Sequence, residues 1–435
     1  MTQTSVDLDR AAERRLEEYL EAITAVLGHA SRTAPARAYC TGLLLPGERK
    51  SVEPMAARLA PARVQAAHQS LHHVVAKADW SDDAVLDVVR AHVLPAIERH
   101  GLVRSWIIDD TGLPKKGRHS VGVTRQYCGQ VGKQENCQVA VTLSLANQHA
   151  SLPIAYQLYL PETWANDPER RSRAGVPDDV VFQTKPAIAL DQIRRALANG
   201  VPTGIVLADA AYGVDTEFRA SLTALSLVYV VGIQSSTSLW PPGTGPLPPK
   251  RWSGRGRPPS RMRRDPEHQP VSAKDLAQRL TADAWQTVTW REGTKAPLAS
   301  RFAAVRVRPA HRDTDRAEPW PEEWLLVEWP EGEDEPTKYF LSSLPADIAI
   351  TDLVAAAKGR WRIERDYQEL KQEIGLGHYE GRGWRGFHHH ASLAIAAYGF
   401  LVAERSLFPP EQCFPGRRQA PKLPAGFRPR GAAPA

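Results

Sequence analysis

Residues Trp106 to Gly117 read WIIDDTGLPKKG, a stretch that carries three signals in succession. The apolar run Trp106, Ile107 and Ile108 predicts a buried strand. Two adjacent carboxylates, Asp109 and Asp110, close that strand, a Thr-Gly-Leu-Pro sequence predicts a turn, and Lys115 and Lys116 follow. Neighbouring carboxylates repel one another, so a cation is needed to hold both ionised. The lysines, a metal ion, or both together are the candidates.

Around this stretch the hydrophobic period switches between helix and strand. Upstream, residues 7–100 carry apolar residues at helical spacing, and Ser81-Asp82-Asp83 supplies an N-cap for a helix running toward Gly101. Residues 1–101 therefore read as an N-terminal helical domain. Downstream, VRSWIIDD, CQVAVTLSLA and LPIAYQLYL predict three strands, antiparallel to one another. A helix near 183–199 leads to GIVLADAAYG, a fourth strand that again ends in an acid, Asp209, and then to LSLVYVVGI, a fifth. This order, with acids at strand ends, predicts an α/β protein with a mixed-sheet core whose first part covers 102–234. Pro-, Gly- and Arg-rich sequence then opens a basic linker and β-rich insertion over 235–345. Helix returns over 346–407 as the second part of the core, and residues 408–435 read as a disordered tail rich in Pro and Arg.

The chain has 435 residues, enough for two or three domains, and its 42% of hydrophobic residues can build a core. With 55 basic against 49 acidic residues the formal charge is +6, which leans toward a polyanionic partner. The four cysteines, Cys40, Cys128, Cys137 and Cys413, lack a metal-binding spacing, so a reducing cytoplasm is expected, with Cys128 and Cys137 as buried thiols. The N-terminus lacks the apolar centre of a signal peptide, and no apolar run reaches the ~18 residues of a membrane span.

Two acids at strand ends hold a hard cation best if a third oxygen ligand joins them. The late helix offers Glu364. At about 100° per residue, Arg360, Lys371 and Tyr367 fall within about 60° of it, and Ile363, Leu370 and Ile374 form a buried face just beyond. Glu364 is thus expected at the edge of the buried face with two cations beside it, whereas Asp366 and Glu369 fall well off that stripe. Asp109 is expected to be structural rather than a ligand, and Asp209 can also cap the helix that follows it.

The segments DDTGLPKKGRHSVGVTRQYCGQVGKQENCQVAVTL, VLADAAYG and RWRIERDYQELKQEIGLGHYEGRGWRGFHHHASLAIAAYGFL together resemble a DDE insertion-sequence transposase with an RNase H-like catalytic core. The third segment resembles the Tyr-Arg-Glu-Lys signature of one branch of these enzymes. Arg360, Glu364 and Lys371 match it, and Ala357 stands at the tyrosine position. The resemblance implies that Asp110, Asp209 and Glu364 converge on two Mg²⁺ ions (Mn²⁺ being an alternative) for phosphodiester hydrolysis and strand transfer. Arg360, Lys371, Lys115 and Lys116 would contact DNA phosphates. It implies double-stranded DNA, both element ends and target, as partner, a homodimer in the DNA complex, no membrane, and a bacterial, nucleoid-associated location. The N-terminal helical domain would bind element ends. Two rivals remain: an RNase H-like endonuclease that never joins ends, and a catalytically inactive DNA-binding regulator derived from a transposase.

Gly254 to Arg261, GRGRPPSR, is similar to an AT-hook core, in which Arg255 and Arg257 would enter the minor groove. Seven of the fifteen residues 250–264 are Lys or Arg, so a solvated linker contacting phosphates without sequence preference is the simpler reading. His388, His389 and His390 are consecutive on a helix and point in three directions, so core packing or DNA contact is expected rather than a shared metal.

Overall fold

The computed structural model describes residues 3–291 and 297–408, and the tail expected to be disordered falls almost wholly outside them. The architecture is mixed α/β, with an RNase H-like core and a helical N-terminal region. It divides into two compact units: one from the described residues of Met1–Arg104, Asp109–Pro202 and Arg362–Ala435, the other from those of Ser105–Ile108 and Thr203–Trp361.

The strands, in chain order, are β1 (Ser105–Pro114), β2 (Thr124–Cys128), β3 (Lys133–Ala146), β4 (Ser151–Leu158), β5 (Ile205–Ala208), β6 (Tyr229–Ile233), β7 (Ser238–Trp240), β8 (Val271–Ser272), β9 (Gln286–Arg291), β10 (Leu298–Pro309), β11 (Glu323–Trp329) and β12 (Lys338–Ser342).

In the first unit, β2, β3 and β4 form an antiparallel meander with Thr124 opposite Cys137 and Ala140 opposite Leu158. The later half of β1 runs beside β3, where the Thr142 hydroxyl donates to the Asp109 carbonyl at 3.0 Å. Helix Trp384–Leu407 is buried on nearly all faces. The N-terminal helices supply much of its cover: Tyr19 donates to the Ala396 carbonyl at 2.8 Å, and Arg15 forms a two-pronged ion pair with Glu404. Such close helix contact needs small residues. A Cβ on Gly399 would lie 2.9 Å from Val89 Cγ1. Helix Asp82–Glu98 begins as its sequence predicts, with the Ser81 hydroxyl accepting from the Ala84 amide.

In the second unit Ser105–Ile107 pair in parallel with Ile205–Leu207, and β5 pairs in parallel with β6. β12, β11 and β10 then continue the sheet antiparallel, which makes it mixed, with β9 and β7 both along β10. Trp106, Val206, Leu207, Val231, Phe302, Leu325 and Leu341 are buried in its core.

Two local expectations are corrected. The first strand does not stop at its acids. It runs on to Pro114, with Thr111, Gly112 and Leu113 buried, so Thr-Gly-Leu-Pro is strand and not turn. The glycine is there for proximity: a Cβ at position 112 would sit 2.8 Å from Cys128 Sγ. Nor is the late helical segment continuous. Helix Ile350–Lys358 gives way to a 3₁₀ turn at Gly359–Trp361, helix Arg362–Glu369 follows, and Leu370–Ile374 is a π-helical turn. At the break, a Cβ on Gly359 would lie 3.1 Å from Leu207 Cδ1, so the glycine permits a close approach to β5.

A second close approach sets the turn after β5. A Cβ on Gly213 would fall 1.9 Å from the Gly232 carbonyl oxygen of β6, and one on Gly232 would fall 2.9 Å from the Ala210 amide. Gly213→Ala should therefore cost about 1–3 kcal/mol through overpacking against backbone that cannot yield. Denaturant unfolding of the variant measures it.

Candidate active site

In the second unit the parallel register brings the C-terminal ends of the paired segments of β1 and β5 to one edge of the sheet, and in sequence each segment leads within three residues to an acid. Open α/β sheets bind ligands at such edges. Asp209 directly follows β5 and caps the short helix Ala210–Gly213: its Oδ1 accepts from the Ala211 amide at 2.9 Å. It stays half-exposed.

Asp109 and Asp110 diverge in role. Asp109 Oδ1 accepts from the Asp110 amide at 2.9 Å, and its carbonyl is held by Thr142. The Asp110 carboxylate instead meets Lys185, whose Nζ lies 2.5 Å from Oδ2. Of the two lysines expected to balance these acids, neither is the one found here. Lys115 turns its ammonium to the Tyr379 carbonyl at 2.8 Å, and burial lowers its pKa against the pull of Glu380. Lys116 is exposed.

Lys371, in the π-helical turn, is the predicted cation whose charge interacts with Asp109. Burial lowers its pKa, opposed by the neighbouring Cys128 thiol and Asp109 carboxylate. Extra turns of this kind recur where a helix re-aims a functional side chain. Arg360 belongs to the 3₁₀ turn in the second unit. Glu364 is exposed on helix Arg362–Glu369, whose buried face is Ile363, Asp366 and Tyr367.

That burial of Asp366 was not expected. Its carboxylate accepts from the Ser151 hydroxyl of β4 and, at 2.8 Å, from the Tyr398 hydroxyl. Burial raises its pKa to about 6, more than these two donors and Arg362 can offset. Both partners lie far away in sequence, so no local signal marks the position.

Other candidates fall as follows. Residues 251–261, including Arg255 and Arg257, are exposed and lie outside any helix or strand. The three histidines are buried and bonded to the fold. His388 accepts from the Leu158 amide, His389 meets the Val75 and Trp80 carbonyls, and His390 meets Tyr39 and the Gly375 carbonyl. Core packing accounts for them. Cys128 and Cys137 are buried free thiols, and burial pushes the Cys137 thiol up to about 12.

The acids are oxygen donors suited to a hard divalent ion, and Asp110 already carries a cationic stand-in, the Lys185 ammonium. Among the described residues no three His, Cys, Asp or Glu side chains are gathered closely enough to hold an ion. Magnesium-type sites ask for less, one or two protein carboxylates with water and substrate phosphate completing the shell. Asp110 and Asp209 each offer carboxylate oxygens of the kind such an ion takes. Among the described residues no helix is long and apolar enough to cross a membrane.

Comparison with known families agrees with this chemistry. The family described as DDE superfamily endonuclease matches residues 22–297, and the chain belongs to that family. The matched range contains Asp110 and Asp209 and ends before Glu364. The chain is also similar to the probable transposase for insertion sequence element IS701 from Microchaete diplosiphon, 31% identical over 169 residues. That stretch is 39% of this chain and spans 41% of the relative's length.

Proposed function

We propose that the chain is a transposase that cuts the ends of its own mobile element and joins them to target DNA. The observation that carries this reading is the parallel pairing of β1 with β5, each leading into an acid, in a chain of the DDE superfamily. Asp110, Asp209 and Glu364 are the proposed metal ligands. Two Mg²⁺ ions, or Mn²⁺ in their place, would supply activation of the attacking oxygen and stabilisation of the departing 3′-oxygen.

The chain's own side chains bind and orient the DNA. Arg360 and Lys371 neutralise phosphates near the scissile bond, and the exposed Lys116 tracks the flanking strand. Lys115, anchored on the Tyr379 carbonyl, fixes the path of that lysine pair. The helical region within 1–101 is assigned to element ends, and the DNA complex to a homodimer. Incubation with supercoiled plasmid bearing the gene and its flanking DNA separates the readings. Cleavage with joining supports a transposase, cleavage alone an endonuclease, and binding alone a regulator.

The basic segment makes a separate prediction. Residues 250–264 hold seven positive charges and no acids, with Arg251, Arg255, Arg257 and Arg261 all exposed. Changing these four arginines to Ala should flatten the fall of log affinity against log salt by ~0.9 for each phosphate left without its arginine. Binding to element ends and to random duplex should weaken equally. Weakening confined to A·T-rich DNA would assign Arg255 and Arg257 to the minor groove instead.

A further inference from the structure

Lys185 is the first residue of helix Lys185–Ala198, where a cation is unfavourable because the helix dipole presents its positive end. The helix itself is firmly seated. The Thr184 hydroxyl accepts from the Ala187 amide, and Gln192 donates to the Val141 carbonyl of β3 at 2.9 Å. The lysine therefore stands where its helix disfavours it, and what it gains there is Asp110, 2.5 Å away, with both side chains about one quarter exposed. On its other side the ammonium lies 5.6 Å from the centre of the Tyr159 ring. Tyr159 in turn meets Phe182 edge to face at 6.4 Å, and Phe182 is 38% exposed. The ammonium thus sits between an acid and an aromatic pair that opens to solvent.

An ammonium held on a carboxylate oxygen competes with a divalent ion for that oxygen, because the two cations repel. We infer that Lys185 is a further residue of the reaction site with two successive partners. It is the counter-ion of Asp110 in the metal-free protein, and it moves to a DNA phosphate beside Asp110 when the metal takes that carboxylate. This rests on Asp110 being a metal ligand. Metal binding and DNA binding then assist each other through one side chain. Metal releases the ammonium for phosphate, phosphate draws it off the carboxylate, and linkage makes the two effects equal.

Mn²⁺ binding to the full chain, followed by loss of the free-ion paramagnetic resonance signal, tests this with and without a random-sequence duplex. Lys185→Met and Lys185→Gln keep much of the stem and remove the charge. Without DNA, both should bind Mn²⁺ about twofold to fivefold more tightly than wild type, the range expected for removing a partly exposed competing pair. The gain in Mn²⁺ affinity that duplex gives the wild type should shrink in both, whereas Lys185→Arg should retain it. If Asp110→Asn abolishes Mn²⁺ binding while both neutral variants bind like wild type, Lys185 has no such role and the assignment of Asp110 stands. If Asp110→Asn leaves Mn²⁺ binding unchanged, both fall.

Discussion

An Asp209→Asn variant is expected to fold, to bind DNA and to fail to cut it. Asn keeps an Oδ1 that can accept from the Ala211 amide, so the cap on Ala210–Gly213 survives the change. The negative charge, which a hard cation requires, does not. Metal ions contribute several kcal/mol of charge stabilisation in such reactions, so the cleavage rate should drop by about 10³-fold or more. DNA affinity should stay the same or rise slightly, because one negative charge facing phosphate is gone. Plasmid nicking and gel-shift assays on the same preparation read the two effects. Cleavage that persists at ordinary Mg²⁺ would remove Asp209 from the ligand set.

The second large effect is on stability and concerns Asp366. Its folded-state pKa is raised to about 6 by burial, above the ordinary aspartate value that it has in the unfolded chain. A group of this kind supports the fold fully when protonated in both states. The support is lost as pH rises from the unfolded pKa through the folded one. Above about pH 6 the carboxylate is buried as an anion, and the shift of roughly two pH units corresponds to about 3 kcal/mol of lost stability. Asp366→Asn removes the charge. Its amide can donate to Ser151, and its oxygen can still accept from Tyr398, so the clamp between helix Arg362–Glu369, β4 and helix Trp384–Leu407 remains. The variant should be more stable than wild type at pH 8 by up to about 3 kcal/mol, with the difference fading toward pH 4. Denaturant midpoints measured across that range decide it. A constant difference between the two proteins would mean that Asp366 does not titrate in the fold.

How much of this could be read from the chain depended on range. The strand carrying Asp109 and Asp110 and the strand and cap at Asp209 follow from local pattern, whereas for the three consecutive histidines the pattern left core packing and DNA contact open, and only the fold shows them buried. The extent of β1 did not, because Gly112 and Pro114 carry the composition of a turn. Only the neighbouring Cys128 explains the glycine. The stripe drawn through Arg360, Glu364 and Lys371 assumed one uniform helix, and a 3₁₀ turn and a π-helical turn now separate those residues. Lys185 could not be singled out either. Its partner Asp110 is 75 positions earlier in the chain, and nothing in the local sequence distinguishes it from any helix-surface lysine. Long-range pairing decides such cases, and a pattern of period 2 or 3.6 carries no information about it.

The most direct measurement is the mapping of cleaved ends after incubation of the full chain with its own flanking DNA and Mg²⁺. The proposed chemistry predicts breaks at the element boundaries that leave 3′-hydroxyl ends, vanish on chelation of the metal, and become joined to target DNA in the same reaction. Breaks that survive chelation, or that leave 3′-phosphate ends, would contradict it.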